Sequence, residues 1–166
     1  MGQECRGCVH RGRMDNNSIK YLESCGALIY CTTTHRYLFL LRSGSKHAGS
    51  WGLVGGKLEP GESVAQGLLR EIAEEIGNVV PDPKLIPIEK FTSENKNFIY
   101  HTFLITVAEE FIPVLNEEHR GYAWVPLQEH PKPLHPGVWR TFNFKSVIEK
   151  LHTIETIKDQ LPSQTV

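Results

Sequence analysis

The sequence predicts an α/β fold, and three observations carry that reading. Apolar runs of strand length recur along the chain, from Gly26–Cys31 near its start to Phe103–Ala108. One segment of helical periodicity, Glu62–Ile76, interrupts them, and a second near the end repeats Val147, Leu151, Ile154 and Leu161. The 166 residues are 40% hydrophobic before their 14 glycines are counted, enough apolar material for one domain core. A core of that size needs neither a structural metal nor a disulfide framework.

Residues 1–20 carry scattered glycines, Asn16-Asn17 and no apolar period, which predicts a flexible N-terminal arm. A single domain is expected over residues 21–161, with a short tail over 162–166. Cys5 and Cys8 form a C-x-x-C pair with His10 beyond, but no matching second half follows, so zinc is not expected there. Ala27–Cys31 and Tyr37–Leu41 flank Thr32–His35 and read as a hairpin of buried strands. Trp51–Val54 reads as a further strand, Gly55-Gly56 as the start of a loop, and Glu62–Ile76 as a helix. Strands are expected at Leu85–Thr92, Phe98–Ala108 and Tyr122–Pro126. Pro126, Pro131, Pro133 and Pro136 then predict an extended connection into the last helix, because each fixes its backbone and removes a donor.

With 18 Lys and Arg against 19 Asp and Glu, the net charge is -1, and the basic excess of a nucleic-acid binder is missing. No apolar stretch approaches the roughly 20 residues of a bilayer span, and charges scattered from Glu4 to Asp15 leave no uninterrupted apolar segment, so a secretory signal is not expected. The expectation is a cytoplasmic protein with neither a membrane nor a nucleic acid as partner. Its four cysteines are read as thiols.

The chemistry concentrates in Glu62–Ile76. At about 100° per residue, Ala65, Leu69, Ile72 and Ile76 share one face and predict the core stripe. Glu71, Glu74 and Glu75 lie roughly opposite, where like charges three or four residues apart destabilise a helix by about 0.2–0.5 kcal/mol per pair. Gly67 adds about 1 kcal/mol of helix cost. A divalent cation among the carboxylates would offset the repulsion, and the bare Gly67 would let a loop or ligand approach them.

The flanking residues sharpen this. Gly56, then Glu62 after five residues, then Arg70-Glu71-Ile72-Ala73-Glu74-Glu75-Ile76-Gly77 after seven more, resembles the box of the Nudix hydrolase superfamily. Seven fixed positions match, and chance would produce that in a chain of this length on the order of once in a million. Trp51–Lys57 is also similar to the strand that leads into the box. Two positions depart from the pattern: Asn78 stands where an apolar residue is usual, and Val54 where many members have proline. The resemblance implies an alpha/beta/alpha sandwich with a mixed sheet. It also implies hydrolysis of a pyrophosphate bond in a nucleoside diphosphate linked to another group, dependent on Mg2+ or Mn2+. Oxygen donors without His or Cys in the box suit such hard cations. Carried over by position, Glu71, Glu74 and Glu75 are the expected metal ligands, with the Gly55 carbonyl beside them.

Arg70, next to Glu71 and four residues before Glu74, is read as orienting those carboxylates through charge-assisted hydrogen bonds. Glu62 is read as a structural carboxylate facing the helix N-terminus. Asn116–Trp124 resembles the segment that brings a late acidic or histidine residue over the metal, so Glu118 or His119 is the candidate general base. Arg42, Lys46, His47 and Lys57 flank the box and are candidate phosphate binders. Trp51, Phe98, Tyr100 and Phe103 could stack on a base or fill the core. The segment Phe91–Asn97 holds neither Pro nor Tyr and lacks the marks of ADP-ribose or diadenosine-polyphosphate members. The expected partner is a small-molecule nucleotide: ADP-ribose, a dinucleoside polyphosphate or a nucleotide sugar. A MutT-like triphosphate sanitiser is the enzymatic rival and a non-catalytic ligand sensor the other alternative. A homodimer is compatible with the sequence, which does not fix the oligomeric state.

Overall fold

The computed structural model describes residues 21–160 apart from Ser45. The expected arm with its Cys5–Cys8 pair, Leu161 and the tail lie outside those residues. Seven strands form one sheet: β1 (Leu22–Cys31), β2 (Arg36–Arg42), β3 (Trp51–Gly52), β4 (Val54–Lys57), β5 (Ile86–Thr92), β6 (Phe98–Val107) and β7 (His119–Val125). Three helices flank it: α1 (Val64–Ile76), α2 (Pro136–Phe142) and α3 (Lys145–Gln160). No helix among the described residues is long and apolar enough to cross a membrane.

The sheet is mixed, and β1 organises it. One edge of β1 runs parallel to β6 from Leu22 opposite Phe98 to Cys31 opposite Val107. The other edge is shared: β4 pairs antiparallel with Ser24–Ala27, and β2 with Tyr30–Cys31. β2 in turn pairs with β7 along most of its length and with β3 at Leu40 and Leu41. Alternation along β1 and β2 then feeds two cores. Ala27, Ile29, Leu38 and Leu40 pack with Leu68, Ile72 and Ile76 of α1 on one face. Leu28, Tyr30, Tyr37 and Phe39 pack with Val138 of α2 and Val147 and Leu151 of α3 on the other. Both faces of β1 and β2 are dry, which is why these strands read as continuous apolar runs rather than alternating ones. The expected alpha/beta/alpha sandwich is present.

Three expectations shift. Gly55 and Gly56 lie inside β4, paired with Gly26 and Cys25, rather than opening a loop. α1 begins at Val64, because Ser63 caps it in a reciprocal box: its side chain accepts from Gln66 N–H at 3.2 Å, while Gln66 Oε1 accepts from Ser63 N–H at 2.9 Å. The proline-rich connection contains a 3-10 turn over Leu127–Glu129 and the short helix α2, for which Pro136 supplies the first residue, where its missing N–H costs nothing.

The buried stripe of α1 is also rotated from the expected one. Leu68, Ile72, Glu75 and Ile76 face the sheet, while Ala65 and Leu69 are exposed. Gly67 is covered by Leu58, whose side chain occupies the space a Cβ would take, so it is a loop that approaches there.

Candidate active site

Rotating α1 carries Glu75 into the protein, where it is only 1% exposed. Its Oε2 accepts a hydrogen bond from Gly55 N–H at 3.0 Å, so β4 and α1 meet through a carboxylate. Gly55 adopts φ 149°, and a side chain there would collide with the Cys25 carbonyl. At Gly56 a side chain would collide with the carboxylate of Glu71. The two glycines let β4 approach both acids closely. Burial pushes the Glu75 carboxyl up to about 9, with the Gly55 N–H opposing and Glu71 and Glu118 adding to the rise. Glu71 is raised by burial too, against the pull of Arg70.

Arg70 ties this corner together. Its Nε donates to Glu62 Oε1 at 2.7 Å and its Nη2 to Glu62 Oε2 at 3.0 Å, a bidentate pair. Nη1 donates to Glu71 Oε1 at 2.9 Å and to Glu74 Oε2 at 3.2 Å, and Nη2 also reaches the Lys57 carbonyl at 3.0 Å. Arg70 thus contacts both of the carboxylates it was expected to orient, Glu71 and Glu74, and Glu62 besides. Glu62 precedes the helix cap, and Arg70, rather than the helix dipole, is its main partner and holds it below the usual carboxylate range.

Glu118 arrives from the segment before β7. Ser43 N–H donates to the Glu118 carbonyl at 2.9 Å, and Glu118 N–H donates to Asn116 Oδ1 at 3.1 Å. Its carboxylate lies against Glu75, which it raises by charge and by a side-chain hydrogen bond. The next residue, His119, is 5% exposed, and neither ring nitrogen has a partner. Burial, with Arg42 beside it, lowers its basicity despite Glu118. Arg42 is its cross-strand partner, half-buried, with an unpartnered Nε. Buried polar atoms without partners are uncommon in folded proteins and mark a place where a ligand or water belongs. Lys46 and Lys57 are exposed, and no described hydrogen bond ties either ammonium to the carboxylates.

The oxygen-only donor set fits a hard divalent cation: a buried carboxylate with no cation of its own, and two more acids raising its energy. Glu71 and Glu118 are the acids near enough to Glu75 to raise it, so these three are the oxygen donors of this corner. Glu74 is 55% exposed and turned to Arg70. Among the described residues no three acidic, histidine or cysteine side chains converge on one point, since Arg70 draws Glu71 and Glu74 to itself.

On the opposite face of the sheet, Phe98 and Tyr100 line a cavity against α2, whereas Trp51 and Phe103 pack into the two cores. His135 and Arg140 line the same cavity and were not among the expected site residues. Arg140 lies on a seven-residue helix that the sequence pattern hid. His135 follows a proline run with no periodic signal.

The NUDIX domain family model matches residues 21–144. The chain is 34% identical over 91 residues to a nucleoside triphosphatase, NudI, of Escherichia fergusonii, a match covering 49% of this chain and 64% of that relative. The chain thus spans less than two-thirds of the length of that relative. Among solved structures, a MutT protein from Methanosarcina mazei is 31% identical with TM-score 0.60, over 78% of this chain and 95% of that one. The NUDIX domain of Shewanella oneidensis NrtR, solved with ADP ribose, shares the fold at 20% identity and TM-score 0.62, over 79% and 88% of the two chains.

Proposed function

Because the chain belongs to the NUDIX domain family, we propose that it is a Mg2+-dependent nucleotide pyrophosphohydrolase whose substrate is a nucleoside triphosphate, cleaved to the monophosphate and pyrophosphate. The observation that carries this reading is the buried Glu75 bonded to Gly55 N–H, raised by both Glu71 and Glu118 beside the side-chain-free β4 edge, with Arg70 bracing Glu71. A triphosphate is the enzymatic rival of the linked nucleoside diphosphates expected from the sequence. The similarity to a nucleoside triphosphatase at 34% identity favours it over ADP-ribose, the ligand solved with a fold relative at 20% identity.

Bound Mg2+ would neutralise charge on the phosphate oxygens and acidify a water ligand. The chain's own residues do the rest. Glu71 and Glu75 supply oxygen donors from α1, with Glu74 and the Gly55 carbonyl as the further donors the box implies. Glu118 accepts the proton of the attacking water, whose oxygen bonds to phosphorus as the bridging P–O bond breaks and pyrophosphate leaves. Neutral, buried His119 and cationic Arg42 offer hydrogen-bond donors to the phosphates from the β2–β7 edge. Lys46 and Lys57, exposed beside the site, add long-range attraction for the polyphosphate.

The test is incubation of the full chain with Mg2+ and a panel of nucleoside triphosphates, ADP-ribose, dinucleoside polyphosphates and nucleotide sugars, with products resolved by chromatography. Monophosphate plus pyrophosphate from triphosphates supports the proposal. Turnover confined to the linked diphosphates moves the substrate class, and turnover of none favours a ligand sensor.

A further inference from the structure

Half of the stripe expected to face the core does not. Ala65 and Leu69 are exposed, and so, four residues further on, is Ala73. At this spacing the three line one ridge of α1, which ends at Gly77, where the Val114 side chain lies against the glycine. Val114 N–H donates to the Ile76 carbonyl at 2.9 Å and so fixes the segment 111–115 at the end of the ridge. Burial alternates along that segment. Pro113 is buried, and Phe111 and Leu115 pack against the core under α1, while Ile112 is 77% and Val114 67% exposed. These two are the most exposed large hydrophobic side chains among the described residues.

A contiguous apolar ridge on the outside of a helix contributes nothing to the core, and such patches mark surfaces that another molecule covers. Beyond Gly77 the ridge meets an open cavity of about 500 Å³ whose walls include Val79, Val80 and Phe111. The charges around both are mostly acidic. Asp82, Glu109 and Glu110 line the cavity with a single lysine, Lys84, and Glu110 is already paired with Arg36 at 2.7 Å. Glu117 is exposed two residues past Leu115, and Glu74 is exposed beside Ala73. The arginine of α1, Arg70, is spent on Glu62, Glu71 and Glu74. A second copy of the chain laid on this face would set acid against acid, and an anionic lipid surface or a nucleic acid would be repelled in the same way.

We propose that the ridge of Ala65, Leu69 and Ala73, continued by Val114 and Ile112, docks a partner protein through an amphipathic helix whose apolar face is flanked by lysine or arginine. The small side chains on either side of Leu69 let such a helix approach closely. From Ala65 to Gly77 the ridge is about 18 Å long, so roughly a dozen residues of partner helix cover it. Cationic groups at the margins of that helix meet Glu74, Glu109 and Glu117, and the cavity past Gly77 takes a bulky anchor from its end. The inference stands apart from the activity proposed above, since none of the docking residues supplies a donor to the carboxylate corner.

The experiment follows the methyl NMR spectrum of the full chain at low salt during titration with a synthetic leucine–lysine peptide, its leucines on one helical face. The peptide is about 18 residues long, enough to hold a helix, and a leucine–glutamate counterpart is titrated beside it. The lysine peptide is expected to move the Ala65, Leu69, Ile112 and Val114 methyl signals before any others. Its dissociation constant should rise at least about tenfold in Leu69→Gln/Ile112→Gln, and rise again with added salt. If that variant does not fold, Glu109→Lys/Glu117→Lys replaces it, with the same loss expected for the lysine peptide and a gain for the glutamate one. Equal binding of the two peptides, no binding of the lysine peptide, shifts centred on another surface, or undiminished affinity in the folded variant overturns the proposal. So does a wild-type dimer in sedimentation that Leu69→Gln/Ile112→Gln dissolves, which would give the ridge to a second copy of the chain.

Discussion

Arg70 is the residue on which the site's geometry turns, since one guanidinium serves three carboxylates and a backbone carbonyl. A lysine cannot reproduce that fork, so Arg70→Lys should release Glu71 while keeping the charge. Residues that orient metal ligands cost about 10- to 100-fold in metal affinity or activity when replaced. We expect a loss of that size in Arg70→Lys, appearing first as a higher Mg2+ requirement in a metal titration of the rate. A drop in turnover at unchanged metal requirement would instead make Arg70 a residue that touches substrate. Glu118 differs, because its ties to Ser43 and Asn116 run through the backbone. Glu118→Gln should therefore melt like the wild type and lose about 10²- to 10⁴-fold in turnover, the range for general acid-base groups. An unaltered rate would pass the base role to His119. The box residues were legible in the sequence because spacing alone specifies them. The inward turn of Glu75 was not, since a helical wheel counts a glutamate as solvent-facing, and the Gly55 N–H waiting in β4, a partner far away in sequence, helps make its burial tolerable.

Among the elements, the strands were the most readable. β2, β5 and β6 fall within a residue of their expected bounds, because buried runs of branched and aromatic residues leave little choice. β1 starts earlier than expected, at Leu22, since β6 supplies a partner along its whole length, and distant pairing of that kind leaves no local mark. α2 was hidden for the opposite reason: seven residues give too few turns for a period, and its defining signal is a cap. That cap predicts a pH response. Burial, then Arg42, His47 and Lys46, pull His135 down to about 4 from an ordinary 6.5. The unfolded chain takes up a proton near pH 6.5 that the folded protein resists, so the stabilising contribution is whole above about 6.5 and is lost as the pH falls toward about 4. Protonation also ends the Nδ1 acceptor that receives Gly137 N–H and sets a positive charge at a helix N-terminus. His135→Asn keeps a capping oxygen without the titration. Urea midpoints across that window should fall more steeply for the wild type than for His135→Asn, and parallel curves would remove His135 as the source.

At the scale of the whole molecule, one strand belongs to both halves of the sandwich. Ile29 and Ala27 of β1 face α1, while Leu28 and Tyr30 face α2 and α3. Leu22–Cys31 also pairs with three other strands, so neither face can lose its packing without disturbing the other. The polar seam between α3 and the hairpin strengthens this coupling: Tyr37 donates to Glu155 at 2.5 Å, and Tyr30 to Asp159 at 3.4 Å. The molecule should therefore unfold as one unit, as small domains usually do. Leu151 tests this because it is fully buried on α3 and lines neither the carboxylate site nor the cavity beside α2. Leu151→Ala should cost about 2–5 kcal/mol, the range for leucine truncation in a core. Its urea transition should stay single, with the slope of the wild type, and tryptophan fluorescence and far-ultraviolet dichroism should report the same midpoint. Well below that midpoint, turnover should stay near the wild-type value, because the glycines and acids of the site hang on β4, α1 and β1 rather than on α3. Two separated transitions would mean that the face carrying α3 folds on its own. The carboxylate cluster would then owe its geometry to α1 and the strands alone, and the shared strand would not be the coupling argued for it.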